Sequence, residues 1–484
     1  MDKPPHIVMF PWLAHGHISP YLELSTKLAD NGIHISFVST QHNIAKLKPL
    51  FSDQNSPPGK GKINLIDLPL PTVEGLVPGI ENTTDLPTDQ MGLLIKATDN
   101  MQEPFQTLIQ KLSPDFIIYD VLQSWAARAA AMLGIPAIYF ITYGAAYYAY
   151  DYSPSRGQTH EITPEDLARP PPDYPSSAIS WRLPEARARL GLYNYKIGDI
   201  TMRDRIMDCY KGCSAIAIKS CEELEAKYIQ YLQKTTGKTV LPVGPLLGNS
   251  LQRPFFGKNV PDMDDSSICL RWLDRQEASS VVYVSFGSEY FLSREQIEEL
   301  TLGLEASQQP FICVLRFPCN SDKDFHENQQ SRLSALLPDG FGARIGNRGI
   351  VMGGWAPQRE ILAHPSTGSF VTHCGWSSIL EGMSNGLPLI ALPMQLDQAL
   401  NARLIVKEFK VGVEVEKGKD DRGLSREEIC KTVRNVMVDG GIGGQVRSKA
   451  REMADLFRSR IVNDGSQNRC IQQFIRFLSE VKPI

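Results

Sequence analysis

The chain has 484 residues, with 50 Lys and Arg against 54 Asp and Glu and a formal net charge of −4, so charge gives no reason to expect a nucleic acid or an anionic membrane as partner. Nine scattered cysteines without a CxxC pair argue against zinc or redox chemistry and for free thiols in a reducing compartment. The start of the chain lacks the basic n-region and cleavage site of a signal peptide, and no stretch approaches the ~18 apolar residues of a membrane span, so a cytoplasmic protein without a membrane span is expected.

Taken in order, residues 6–12 read as a first strand and 21–29 as a helix, opened by Ser19 as N-cap and Pro20 at the first helical position. Strands follow at 34–40, 63–68 and 116–119, then an alanine-rich helix at 125–132 and strands at 138–142, 215–219 and 240–243. Residues 244–267, rich in Gly, Pro, Asn and Asp, read as a linker. A second series has strands at 280–285, 311–316, 350–352, 369–372 and 389–392, with helices at 295–306, 398–408 and 426–438. Short apolar strands alternating with helices predict an α/β protein with parallel sheets. The architecture expected is two doubly wound Rossmann-like domains facing each other across a cleft: an N-terminal domain over 1–245, a linker over 246–265 and a C-terminal domain over 266–460. A closing helix over 461–484 is expected to pack back on the N-terminal domain. Residues 72–90 and 143–200 fit poorly and are expected as functional loops on the cleft, with disordered surface as the alternative.

The densest chemistry lies between Trp355 and Gln398. A strand ending near His373 meets Gly375, and a helix begins near Trp376. A glycine at such a turn admits an anion to the backbone, where helix amides and the helix dipole hold phosphate. His373, Ser377 and Ser378 add donors; Glu381, one turn on, can accept two ribose hydroxyls. Trp355 offers a flat face for a base, and Asp397 and Gln398 can bind the hydroxyls of a sugar.

This run, Trp355-Ala356-Pro357-Gln358 through His373-Cys374-Gly375-Trp376-Ser377-Ser378 and Glu381 to Asp397-Gln398, resembles the signature of the plant secondary-product UDP-glycosyltransferases and has the family's length of 44 residues. The resemblance implies the two-domain GT-B fold, with the acceptor on the N-terminal domain and the UDP-sugar on the C-terminal one. It implies that Trp355 stacks on uracil, Gln358 and Glu381 hold ribose, His373, Ser378 and the Trp376-Ser377 backbone hold the diphosphate, and Asp397 and Gln398 hold the transferred sugar. Ala356, Gly375, Ser288 (a phosphate donor after Ser285-Phe286-Gly287) and Thr142 (a sugar contact) complete the implied donor set. Gln398 is the family's usual residue for UDP-glucose. Ser377 replaces the usual asparagine, a change familiar in the branch that adds a sugar to an already glycosylated acceptor; Phe10-Pro11-Trp12-Leu13-Ala14, Phe37-Val38-Ser39-Thr40 and Phe286 to Phe291 resemble that branch too. Its acceptors are glycosides of terpenoids, flavonoids or similar aglycones, with a bare aglycone hydroxyl as the alternative.

A hydroxyl acceptor needs a base, and histidine suits the task. His15-Gly16-His17 falls past the first strand, and Asp120, ending another strand, is placed to orient an imidazole. Gly16-His17-Ile18-Ser19-Pro20 matches the family's Gly-His-x-x-Pro context, so His17 is the expected base with Asp120 behind it, and His15 the second choice. The implied reaction is a single inverting displacement by a monomer, with no metal or other cofactor; Asp264-Asp265 reads as solvated surface. A dehydrogenase would need Gly-x-Gly-x-x-Gly after a strand, but only Gly16 follows the first one, and Gly441-Ile442-Gly443-Gly444 reads as a loop. Cys374 as a thiol nucleophile is set aside for a small buried residue, and an inactive binding homologue would have to explain His17, Asp120, Asp397 and Gln398 together.

Overall fold

The computed structural model describes residues 4–51, 61–84, 86, 90–157, 161–247, 264–317, 332–417, 423–438, 440–463 and 465–481. The chain divides into two compact units, one of 1–258 with 461–484 and one of 259–460.

The first unit is built on β1 (His6–Phe10), β2 (His34–Ser39), β3 (Ile63–Asp67), β4 (Phe116–Tyr119), β5 (Ala137–Ile141), a short hairpin of β6 (Lys196–Ile197) and β7 (Ile200–Thr201), β8 (Ala215–Ile218) and β9 (Thr239–Pro242). Ile7, Val8, Met9 and Phe10 are all fully buried, so β1 is covered on both faces, as a central parallel strand must be. Its neighbours are parallel on both sides, with Met9 opposite Phe37 and Ile118. The sheet runs β3-β2-β1-β4-β5-β8-β9. Ile471, Phe474 and Leu478 of the Ser466–Glu480 helix join this unit's core.

The second unit is built on β10 (Val281–Ser285), β11 (Phe311–Leu315), β12 (Gly349–Gly353), β13 (Thr367–Thr372), β14 (Leu389–Ala391) and β15 (Gly412–Glu414). Its sheet runs β12-β11-β10-β13-β14-β15, all parallel. Each sheet thus places its first strand beside its fourth, and connections leave that pair in opposite directions. Such a reversal opens a crevice at the carboxyl ends of the strands, where doubly wound folds bind ligands.

Several expectations are corrected. The first helix spans His15–Asp30 and does not start at Ser19; Pro20 lies inside it. Ala14 caps it through its backbone, its carbonyl accepting the N–H groups of His17 and Ile18 at 3.0 and 2.9 Å. Burial of Leu13, Ala14 and Ile18 outweighs the ladder bond that Pro20 removes. His15 and His17 therefore sit in a helical first turn. Gly441 to Gly444 also open a helix, Gly441–Leu456. A Cβ on Gly443 would lie 2.4 Å from the Asn435 carbonyl oxygen, so only glycine lets that turn pack so closely. The helix Asp264–Leu273 begins within the expected linker, of which 248–263 lie outside the described residues. Strand β15 and the β6–β7 hairpin, two or three residues per strand, were not anticipated.

Of 143–200, the described residues (all but 158–160) form ordered structure. They contain the helices Ala145–Asp151, Pro164–Leu167 and Leu183–Asn194. Their centre holds a buried polar network. Buried Asp151 accepts from Arg189 Nε at 2.7 Å and from the Trp181 indole N–H at 3.1 Å, while Arg189 also donates to the Tyr147 hydroxyl at 2.6 Å and to Tyr152. Removing one member of a buried pair leaves the other charge uncompensated. Arg189→Ala is therefore expected to lower unfolding free energy by ~3–5 kcal/mol in urea titrations, against under about 1 kcal/mol for breaking the exposed Lys234–Asp173 pair with Lys234→Ala.

Candidate active site

The switch point of the first sheet assembles a histidine and a carboxylate. β1 leads into the turn that carries His17, and β4 leads to Asp120. Asp120 is fully buried. Its Oδ2 accepts the Trp12 N–H at 2.9 Å and its Oδ1 the Val121 N–H at 2.7 Å. Gln123 braces it, its Oε1 accepting the Asp120 N–H at 3.3 Å and its Nε2 donating to the Pro11 carbonyl at 3.2 Å. The carboxylate thus has one orientation, and His17 Nδ1 meets it at 2.9 and 3.0 Å. Since an ionised carboxylate only accepts, the proton sits on Nδ1, and Nε2 carries the lone pair of a base.

Thr142, one residue beyond β5, places Oγ1 3.1 Å from the same Nδ1. Its backbone position is set from below. Buried Glu225 accepts the Ala145 and Ala146 N–H groups at 3.0 and 2.8 Å, fixing the turn that follows Thr142. His15 shares the helical turn with His17, which is the one that meets Asp120.

The switch point of the second sheet assembles the Trp355–Gln398 residues. β10 leads to Gly287 and Ser288, and β13 to His373, Cys374 and Gly375. The His373 ring lies between two glycines: an added Cβ would be 2.6 Å from its Cε1 at Gly287 and 2.5 Å from its Nε2 at Gly375. Gly287 also has φ of +73°, which a side chain would strain. Packing that takes the ring out of water pushes its pKa down to about 4, so it is neutral at pH 7. Gly375 is the N-cap of the helix Trp376–Ser384. The first ladder bond there is Ile379 N–H to the Gly375 carbonyl, so the helix does not use the amides of Trp376, Ser377 and Ser378.

Gln358 opens its own helix and joins Ser378 and Glu381: its Nε2 donates to Glu381 Oε2 at 2.8 Å and to Ser378 Oγ at 3.4 Å. Trp355 and Ala356 lie in the loop before it, with the Ala356 carbonyl accepting the Gln358 N–H at 2.8 Å. Gln398 folds back so that Oε1 accepts the Met394 and Gln395 amides, both at 2.9 Å, which leaves Nε2 as the group that can meet a ligand. Asp397 is the N-cap residue of the Gln398–Arg403 helix.

The family descriptions that match this chain are "UDP-glucoronosyl and UDP-glucosyl transferase" over residues 264–440 and "Glycosyltransferase, N-terminal domain" over 5–248. The chain belongs to the UDP-glycosyltransferase family. It is 38% identical over 467 residues to a Mogroside IIIx synthase of Siraitia grosvenorii, covering 94% of each chain. It is 37% identical over 485 residues to an Anthocyanidin-3-O-glucoside rhamnosyltransferase of Petunia hybrida, covering 99% of this chain and 97% of the relative. Among solved structures it resembles a Glycyrrhiza uralensis UGT complexed with glycyrrhetinic acid 3-O-monoglucuronide, with TM-score 0.80, 26% identity and 99% and 96% of the two chains covered. It also resembles a Phytolacca americana UGT complexed with UDP-2-fluoro-glucose and pterostilbene, with TM-score 0.74, 26% identity and 98% and 100% covered. The protein is thus a glycosyltransferase of the GT-B fold.

Two residues bonded to these groups carry no signal in the Trp355–Gln398 pattern of the sequence. Buried Arg316 donates from Nη1 to the Ser288 carbonyl at 2.9 Å and sets its guanidinium 5.7 Å from the centre of the Trp355 ring, tying two loops together. Arg359 Nε holds Glu381 Oε1 at 3.2 Å. A charged residue at the carboxyl end of a buried strand was the available signal for Arg316; Arg359 offered none, since its partner is 22 residues away.

The depressed His373 pKa has a consequence for stability. Against an ordinary value of 6.5, the unfolded imidazole binds a proton that the folded one refuses. The contribution is fully present above about pH 6.5 and is lost as pH falls toward 4. Between pH 7 and 4.5 the wild type is expected to lose on the order of 2 kcal/mol more unfolding free energy than His373→Gln, checked by urea titration at each pH.

Proposed function

We propose that this protein transfers glucose from UDP-glucose, with inversion, to a sugar hydroxyl of a small-molecule glycoside whose aglycone is a terpenoid, a flavonoid or similar. The observation that carries the mechanism is the His17 Nδ1 to Asp120 contact at 2.9 Å, which leaves Nε2 as the base. Nε2 takes the acceptor proton while the acceptor oxygen attacks the anomeric carbon. The bond from that carbon to the diphosphate breaks, UDP departs, and Asp120 stabilises the imidazolium. The amides of Trp376, Ser377 and Ser378 and the neutral His373 ring, as an N–H donor, meet the charge growing on the diphosphate, with Ser288 next to Gly287, the glycine that lies against that ring. Trp355 and Ala356 take the base, Gln358 and Glu381 the ribose, and Asp397 with Gln398 Nε2 the sugar. Thr142, beside the base, is close to the reacting hydroxyls in this scheme.

The glycoside acceptor is supported by the relatives' names. One is a mogroside synthase, and another is named for transfer of rhamnose to anthocyanidin 3-O-glucoside. Glucose as the donor sugar is supported by Gln398 and by a similar Panax ginseng UDP-glucosyltransferase, 37% identical over 477 residues. No metal enters the mechanism, because protein donors carry the charge stabilisation. Free thiols at the eight described cysteines fit a cytoplasmic enzyme, and among the described residues no helix is long and apolar enough to cross a membrane.

Release of UDP from UDP-glucose, measured with EDTA present across aglycones and their matching monoglucosides, tests the proposal. Turnover on the glucosides alone, unchanged by EDTA, is expected. Turnover on aglycones alone would overturn the sugar-on-sugar assignment, and loss of activity in EDTA would overturn the metal-free mechanism.

A further inference from the structure

Asn401 lies inside the Gln398–Arg403 helix and is 1% exposed. Asparagine is a poor choice for a helix interior, since its amide competes with the ladder, and a buried amide without partners costs ~1–3 kcal/mol. Here both N–H bonds of Nδ2 are used, one to Asp397 Oδ2 at 2.7 Å and one to the Cys374 carbonyl at 3.0 Å. The two acceptors belong to different parts of the donor site. Asp397 is the carboxylate at the sugar end. Cys374 stands immediately before Gly375, at the turn that opens the phosphate-binding helix. That turn is unusual: Cys374 is a non-glycine residue with φ of +69°, and its own N–H is held by Thr372 Oγ1 at 3.2 Å. Its geometry is thus fixed on one side by Thr372 and on the other by Asn401.

We propose that Asn401 is a positioning residue for the donor sugar: its amide bridges the Asp397 carboxylate and the phosphate-binding turn, coupling the sugar site to the diphosphate site. This rests on Asp397 being a sugar ligand, as proposed above. Without Asn401, the short charge-assisted bridge between the carboxylate and the turn is lost, while the turn keeps its Thr372 bond. Sugar recognition suffers first, because hydroxyl contacts tolerate misplacement of only about 0.5 Å.

The test is calorimetric affinity of the full-length protein for UDP-glucose and for UDP, with Asn401→Leu, Asp397→Ala and the double variant. Asn401→Leu is expected to weaken UDP-glucose about ten-fold and UDP less than about three-fold. Asp397→Ala is expected to show the same preference, and the double variant to be no worse than Asp397→Ala, as for two residues acting through one contact. An unchanged ratio of the two affinities in Asn401→Leu, with a changed ratio in Asp397→Ala, would overturn the positioning role. An unchanged ratio in Asp397→Ala would overturn the assignment of Asp397 itself and the inference with it. If Asn401→Leu does not fold, Asn401→Ser, which keeps one donor, is expected to shift the ratio in the same direction by a smaller factor; an unshifted ratio there counts against the proposal equally.

Discussion

Everything chemical in this molecule hangs on two parallel strand pairings, β1 with β4 and β10 with β13. In the first, Phe10 is opposite Tyr119 at the carboxyl ends; in the second, Ser285 is opposite Thr372. Each pairing is the point where the winding of its sheet reverses, so the connections diverge and backbone amides and loops face an open crevice. The residues that follow these four strand ends are His17, Asp120, Ser288 and His373. Hydrophobic burial of the strands supplies the rigidity, and the polar groups a few residues on inherit it.

The two switch points solve different electrostatic problems. In the first unit a carboxylate had to be buried without losing its direction, and backbone N–H groups from Trp12 and Val121 achieve that before His17 is counted. In the second unit an imidazole had to be brought beside a helix N-terminus, and two glycines leave the space for its ring. The cost is visible: a depressed His373 pKa and a left-handed Cys374 are strains that the surrounding strands have to absorb.

Much of this was legible because the residues from Trp355 to Gln398 fall in one run of 44 positions whose spacing follows a strand, a glycine turn and a helix. Asp120 was legible as a carboxylate at a strand end. The start of the first helix was not, because the proline rule places a boundary at Pro20 and tertiary burial of Leu13 and Ile18 extends the helix past it. The fold of the described part of 143–200 depends on Arg189 meeting Asp151 across 38 residues, which no local pattern announces. Asn401 and Arg316 were hidden for the same reason: their roles lie in bonds to Cys374 and Ser288, 27 and 28 residues away.

The central claim is a division of labour, with acceptor activation on the first unit and donor binding on the second. It is tested most directly by His17→Ala, measuring UDP affinity by calorimetry and turnover on the best acceptor in parallel. The account predicts that turnover falls by roughly 10²–10⁴, the usual worth of a positioned base, while UDP affinity stays within about two-fold. Parallel loss of affinity and turnover would contradict it, and so would turnover that survives without the imidazole.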